Sequence, residues 1–478
     1  MAFGGFIIIG IGEGYEKDTA VFDARSIRAR WPMVAIVGRP NVGKSSLFNR
    51  LIGRRQAIVS DVPGTTRDRI SGEVRWEDRI FVLVDTGGLE VRPESSLWEK
   101  VRFQVEAAVH EADVMVFVID VTQGVMPEDF AVADMLRKSG KPVIVVANKV
   151  DGSAREMQVP AMYELGIQDE LLAISAYHNR GIGELLDRII DCMPVTKDEE
   201  IVETDTLHLA IVGRPNVGKS MLANAILGEE RAIVSEIPGT TRDALDTAML
   251  YRDQPVVLID TAGIRRRGRV EPGIEKFSVL RSMRAIARAD VALFVLDVTD
   301  LVAAQDTHIA GFVLDTYKGI VVVVNKWDLA DQMGLDQSHV RDYVLQRLKF
   351  ISYAPVRFAS ALDAEGIEEI LDVALEVYKD RHITVSRAQL EKIVLRAVAD
   401  HAPPRFGKSA LRIHRVVQES VDPPTFVFYV NSAKYLHFSY ERYLENALRR
   451  ELGFRRTPLK LEFRGRPRQS IQKGAKQQ

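Results

Sequence analysis

A chain of 478 residues exceeds what one hydrophobic core usually supports, so two to four domains are expected. Its 46% hydrophobic and 27% charged content is that of a soluble globular protein, and a single cysteine, Cys192, excludes an intramolecular disulfide and, with no secretory signal in view, points to a reducing cytoplasm. The formal charge of −2 conceals a split: from Arg381 onward 20 Lys and Arg stand against 8 Asp and Glu, so the last fifth carries +12 and the rest −14, which directs the carboxyl end toward a polyanion.

The chain begins with a segment, 1–32, that fits no domain. Its apolar run AFGGFIIIGIG ends at Glu13 with no basic residue ahead of it. That run is too short to span a bilayer and a poor signal peptide, so no membrane anchor is expected. The glycines of GIGEG lack the spacing of a dinucleotide loop, and the segment reads as an untethered, disordered extension.

From residue 33 short apolar runs alternate with longer mixed segments, the pattern of strands buried on both faces of a parallel sheet with helices between them. VAIV predicts a first strand and SSLFNRLIG the helix after it. Between them GRPNVGKS has the G-x4-G-K-S spacing of a phosphate loop. In that reading the loop Gly38, Arg39, Pro40, Asn41, Val42, Gly43 wraps backbone N–H groups around a β-phosphate, Lys44 reaches the β- and γ-phosphates, and the Ser45 hydroxyl binds Mg2+. In AIVSDVPGTTRD, Thr66 is expected to ligate Mg2+ only while the γ-phosphate is present, which makes the loop a switch.

RIFVLVD predicts a strand ending at Asp85, placed to hold the water shell of the Mg2+, and Thr86, Gly87, Gly88 and Leu89 follow, with a glycine N–H for the γ-phosphate. DVMVFVID and PVIVVANK predict two further strands, the second running into Asn148, Lys149, Val150 and Asp151. The Asp151 carboxylate can accept from both N1–H and N2–H2 of guanine, a donor pair that adenine lacks, so the nucleotide is expected to be GTP or GDP rather than ATP. Ser175 and Ala176 complete the base site, and this first GTPase domain is placed at 33–194.

The acidic stretch PVTKDEEIVETD has no apolar periodicity and reads as a linker, 195–206. The motifs then return. GRPNVGKS recurs 175 residues on, as do AIVSEIPGTTRD and DTAG, while NKWD and SA recur at slightly larger spacings, so 207–380 is read as a second copy of the same domain. It supplies Gly213, Arg214, Pro215, Asn216, Val217, Gly218, Lys219 and Ser220 to the phosphates. Thr241 and Asp260 serve the Mg2+, with Thr261, Ala262, Gly263 and Ile264 beside them, and Asn325, Lys326, Trp327, Asp328, Ser360 and Ala361 serve the base.

After Arg381 the pattern changes to helix (SRAQLEKIVLRAVADH), two strands (ALRIHRVV, TFVFYVN), helix (SYERYLENALRREL) and strand (PLKLEF), an α-β-β-α-β domain of α+β class at 381–463. The last fifteen residues, 464–478, carry five positive charges and no acid, and read as a basic disordered tail.

With these residues in view, the chain resembles the bacterial Der (EngA) GTPases, which join two P-loop, doubly wound G domains to a carboxyl-terminal KH-like domain. The resemblance covers Met33 to Arg464 and rests on GRPNVGKS, PGTTRD, DTGGL, DTAGIRRRGRV, PPTFVFYVN and HFSYERYLENALR. It implies a cytoplasmic, monomeric GTP hydrolase that binds the rRNA and ribosomal proteins of the large (50S) ribosomal subunit and helps that subunit mature. Switch GTPases usually carry a water-orienting Gln where Leu89 and Ile264 stand here. Relatives with Asn in the phosphate loop use K+ at the arginine-finger position, so Asn41 and Asn216, with carbonyls of Ser60, Val62, Ser235 and Ile237, are the implied K+ ligands, and Lys44, Thr66, Asn41, Lys219, Thr241 and Asn216 the implied catalytic set.

Several features depart from the family. Residues 1–32 precede its usual start. Met221 and Ala223 stand where other residues are usual, and the linker is short for wide swinging of the G domains. Gly407, Gly453 and Gly465 form no GxxG loop, so the KH-like domain is expected not to use the usual KH RNA surface. The alternative function is a regulatory switch that signals to a protein partner without touching RNA. The basic end and the arginines of RRRGR, Arg265 to Arg269, favour the ribosomal reading.

Overall fold

Runs of five or six consecutive apolar residues with no polar alternation need cover on both sides, and here they lie in the middle of two six-stranded sheets flanked by helices. The computed structural model describes residues 31–53, 71–77, 79–88, 97–167, 171–194, 206–228, 246–261, 278–406 and 409–465. Outside them lie almost all of the extension and linker, the tail beyond Gly465, Thr66, Thr241, Leu89, Ala262, Gly263, Ile264, the carbonyls of Ser60, Val62, Ser235 and Ile237, and the Arg265 to Arg269 cluster.

The first sheet has the order β2-β3-β1-β4-β5-β6, with β1 Met33–Val37, β2 Ser71–Trp76, β3 Arg79–Asp85, β4 Val114–Asp120, β5 Val143–Asn148 and β6 Leu171–Ala173. Five strands are parallel. The exception is β2, an antiparallel edge strand hairpinned to β3, whose sequence SGEVRW has the half-exposed alternation of an edge and breaks the all-parallel expectation. Helices α1 Lys44–Ile52, α2 Leu97–Glu111, α3 Pro127–Ser139, α4 Ser153–Glu156 and α5 Ile182–Cys192 connect the strands. The second sheet repeats this order with β7 Leu207–Val212, β8 Thr247–Tyr251, β9 Gln254–Ile259, β10 Val291–Asp297, β11 Gly319–Asn325 and β12 Val356–Phe358, and with α6 Lys219–Ile226, α7 Ser278–Arg288, α8 Ala304–Asp315, α9 Gln337–Arg347 and α10 Ile367–Arg381.

Successive residues of a strand face opposite sides of its sheet. Val34 and Ile36 of β1 therefore join a cluster under α1 and α5, while Met33, Ala35 and Val37 join another under α2 and α3. In β7, Leu207, Leu209 and Ile211 belong to a cluster under α6 and α10. Ala210 and Val212 face the other way, into the same cluster that holds α2 and α3. The two G domains thus have one private apolar face each and share the third cluster, through Val101, Val105 and Ala108 of α2 and Leu280, Met283 and Ala287 of α7. The chain just ahead of β1 is part of this packing. Pro32 accepts a hydrogen bond from the Val82 N–H at 2.9 Å, and Trp31 lies under the Lys318 ammonium.

Residues 379–465 form a separate compact unit. Its sheet has the order β15-β16-β17 (β15 Ile413–Val421, β16 Pro424–Val430, β17 Lys460–Gly465), preceded by a short hairpin of β13 Arg405–Phe406 and β14 Ser409–Ala410. Phe426, Phe428 and Val430 point to α11 Arg387–Asp400 and α12 Phe438–Leu452 and pack on Leu390, Val394, Leu444 and Leu448. Because β16 and β17 are parallel, a crossover must join them, and α12 is that crossover. The last strand runs to Gly465, so Arg464 and Gly465 of the segment 464–478 lie in the sheet, and Arg464 pairs with Glu419 and Glu462 at 2.6 Å.

Candidate nucleotide-binding sites

Both phosphate loops leave the carboxyl end of a central strand and run into a helix, and their glycines are where the backbone needs them. Gly38 and Gly43 have φ of +144° and +97°, and a Cβ on either would lie 2.4 Å from the Val118 carbonyl oxygen or the Asn148 Nδ2. Gly213 and Gly218 repeat this against Val295 and Asn325. Asn41 and Asn216 take φ of 67° and 66°, a left-handed conformation that Asn tolerates better than most residues. The Lys44 ammonium donates to the carbonyls of Gly38 and Arg39 at 2.8 and 2.7 Å, lying across the loop where a phosphate would be gripped. Burial pulls its pKa down to about 8, against the opposing charge of Asp85. Lys219 donates likewise to Gly213 at 2.8 Å and to Arg214.

The base motifs sit on the next strand ends. Asn148 donates from Nδ2 to the Val42 carbonyl at 2.9 Å and accepts from the Ala176 N–H at 3.1 Å, stapling the phosphate loop to the Ser-Ala loop. Asn325 makes the same two bonds to Val217 and Ala361 at 2.9 and 3.0 Å. Asp151 accepts from the Ser175 hydroxyl at 2.7 Å, and Asp328 from Ser360 at 2.9 Å, which fixes the edge each carboxylate can offer to a base. The Ser175 bond leads in holding the Asp151 carboxyl below its usual range.

Sequence reasoning missed the residues that hold these motifs from behind. Lys149 and Lys326 pair with Asp120 at 2.6 Å and Asp297 at 2.5 Å. Burial would raise the pKa of both aspartates, yet the lysine, with Thr122 or Thr299, outweighs it and lowers them. Arg39 and Arg214 of the loops are anchored by the buried Asp129 and Asp306 at 2.7 and 2.6 Å. The signal was available: Asp120 with Asp297, and Asp129 with Asp306, recur at the spacing of the two NKxD motifs.

The two positions expected to hold Mg2+ differ. In the first domain the Ser45 hydroxyl donates to Asp85 at 2.6 Å, and Asp85 accepts from the Gly87 N–H at 2.8 Å. This pair of hard oxygen donors at the loop fits Mg2+. Thr86 donates to the Ile36 carbonyl at 2.7 Å, holding the turn in register with β1. In the second domain Asp260 has a φ of 58°, and β9 ends one residue early. Its N–H donates to Asp246 at 2.9 Å, and its carboxylate lies 3.5 Å from the Arg281 guanidinium. Burial raises the Asp260 pKa, with Arg281 acting against that shift. Among the described residues Ser220 has no counterpart of the Ser45–Asp85 bond.

Stretches 33–149 and 208–326 match the family described as 50S ribosome-binding GTPase, and 384–464 match the KH-domain-like family of EngA bacterial GTPase enzymes. GTPase Der of Thermomicrobium roseum is 49% identical over 446 residues, covering 91% of this chain and 96% of that protein. GTPase Der of Herpetosiphon aurantiacus is 46% identical over 442 residues, with 91% and 97% covered, and that of Chloroflexus aggregans 46% over 444 residues, with 91% and 98% covered.

Proposed function

The chain belongs to the GTPase Der family, so binding and hydrolysis of GTP by two G domains is the premise from which we propose that it acts on the large ribosomal subunit during its assembly, with both sites Mg2+-dependent and K+ assisting turnover. The observation that carries this reading is the double constellation itself: two phosphate loops, each stapled by an asparagine to a loop that presents an aspartate to the base. Mg2+, when bound, would offset charge on the β- and γ-phosphates, with Ser45 and Asp85, and Ser220 and Asp260, as the residues nearest to hold it. Lys44 and Lys219 are already folded over the loop and exchange carbonyl partners for phosphate oxygens.

The partner reading rests on the carboxyl-terminal unit. Arg405, Arg412, Lys434 and Arg442 are exposed there, Arg415 stacks on Tyr429, and Arg442 lies over the ring of Phe438, which is 39% exposed. Cations beside open aromatic faces suit phosphates and unstacked bases. Co-sedimentation with 50S particles at rising salt tests the partner. Each contacted phosphate contributes roughly 0.7 to 0.9 to the log–log salt slope, so deleting 466–478, with its four cations, is expected to flatten the slope while GTP binding persists. Absence of co-sedimentation at any salt would remove the ribosomal partner.

K+ at Asn41 and Asn216 is proposed from the resemblance to relatives with Asn in the phosphate loop, and it would supply charge where Leu89 and Ile264 cannot orient water. Turnover is expected to be about 10²-fold or more faster in KCl than in NaCl at equal ionic strength, the scale of a lost charge-stabilising contact. Asn41→Gly and Asn216→Gly keep the left-handed turn but remove the amide oxygen. Each is expected to weaken the K+ dependence with GDP affinity nearly intact, and equal wild-type rates in both salts would refute the assignment.

A further inference from the structure

The shared cluster brings the last turn of α2 in the first domain against α7 of the second. At that junction Arg281 of α7 stands between two carboxylates. One is Asp260 at 3.5 Å, in its own domain's metal position; the other is Glu111 at 3.6 Å, the last residue of α2 in the other domain. The Glu111 side chain is only 8% exposed; Arg284 lies 4.0 Å from it and the Lys141 charge also faces it, but Arg281 is the nearest guanidinium. A buried carboxylate in that setting needs its cation. One guanidinium therefore serves two anions, Glu111 buried and Asp260 half-buried, and what it gives to one it withdraws from the other.

We propose that Arg281 is a positioning residue that holds Asp260 out of its metal-binding place, and that Glu111 of the first domain draws it off, so that the position of α2 sets how readily the second site takes up Mg2+. The inference rests on the reading of Asp260 as a partner of Mg2+.

Three observations carry it. Asp260 lies in the left-handed region and, among the described residues, makes no bond to Ser220, whereas Asp85 is bonded to Ser45. The diversion is held at both ends, by Asp246 on the Asp260 N–H and by Arg281 on the carboxylate, and Asp246 is itself paired with Arg288. The parts exist in one copy alone: aligned on the Ala-Asp-Val that follows each helix, Gln104 and Glu111 of α2 stand where α7 has Arg281 and Arg288, and Ser71, first residue of β2, stands where Asp246 precedes β8. Glu111 closes α2, the helix that packs against the turn Thr86–Gly88, so a shift of that turn at the first domain's γ-phosphate position would reach Glu111 through α2.

The two variants shift the second site in opposite directions. In a chain carrying Asp151→Asn, which removes guanine preference at the first site, a fluorescent non-hydrolysable GTP analogue reports the second site while Mg2+ is titrated. Arg281→Gln is expected to lower the Mg2+ concentration for half-saturation by about five-fold or more, and Glu111→Gln, though in the other domain, to raise it by a similar factor. The double variant is expected to behave as Arg281→Gln alone, because Glu111 acts only through the arginine. GDP affinity without Mg2+ serves as the check on folding and is expected to be equal in all four chains. The same half-saturation in all, or shifts of the same sign that add in the double variant, overturns the latch. Binding that ignores Mg2+ in the chain without Arg281 or Glu111 substitutions overturns the metal reading of the second site, and the latch with it.

Discussion

Asp328→Asn is expected to weaken GTP binding at the second site by about 10²- to 10⁴-fold, the loss of two charge-assisted hydrogen bonds at roughly 1.5 to 3 kcal/mol each. The carboxylate is held by the Ser360 hydroxyl at 2.9 Å, so the substituted side chain keeps its place and changes only its chemistry. Its amide presents a donor where guanine also presents one, and it faces an acceptor on xanthine. The same variant should therefore bind a xanthine nucleotide, and a competition titration with GTP and its xanthine analogue reads both effects at once. An Asp328→Asn chain that still prefers guanine at both sites would show that specificity lies elsewhere. Asp151→Asn is expected to do the same at the first site, where the substitution also removes the ion pair with Arg155.

Lys219→Ala is expected to cut nucleotide binding at the second site by about two orders of magnitude or more and to lower the stoichiometry in calorimetry from two nucleotides per chain to one. The effect comes from two sources. The ammonium supplies the charge that meets the phosphates, and before they arrive it ties the loop's own carbonyls together, as Lys44 does in the first domain. The alanine chain thus loses both the ligand and the pre-formed loop. Lys44→Ala should remove the other site, and the double variant both. A wild-type stoichiometry of one would mean that one of the two constellations does not bind.

The phosphate and base motifs could be read because the chemistry expected of them fixes residue type at fixed spacing: a glycine where a Cβ would meet Val118 or Asn148, an aspartate where the two donors of guanine would need an acceptor. The strands before them were legible because a strand covered on both faces has no polar residue to interrupt it. Asp120, Asp129 and their partners in the second copy were harder to see. Their task is to hold Lys149 and Arg39, and a supporting carboxylate at the end of an apolar strand or in the first turn of a helix looks like an ordinary strand end or helix cap. The edge strand β2 escaped notice for a related reason: half exposed, SGEVRW carries too little hydrophobicity to announce itself. The turning of Asp260 lay beyond reach of the sequence, because it depends on Arg281 arriving from a helix whose place is set by tertiary packing.

The meeting of α2 with α7 joins the same helix of two copies of one domain. When two separate, identical chains meet through the same surface, every substitution appears on both sides of the joint at once, so a change that helps one partner is imposed on the other. Fusion into a single chain lifts that constraint. A lone arginine can enter one half of the joint and a lone glutamate the other, and the assembly acquires a direction, one copy placed to report and the other to be read.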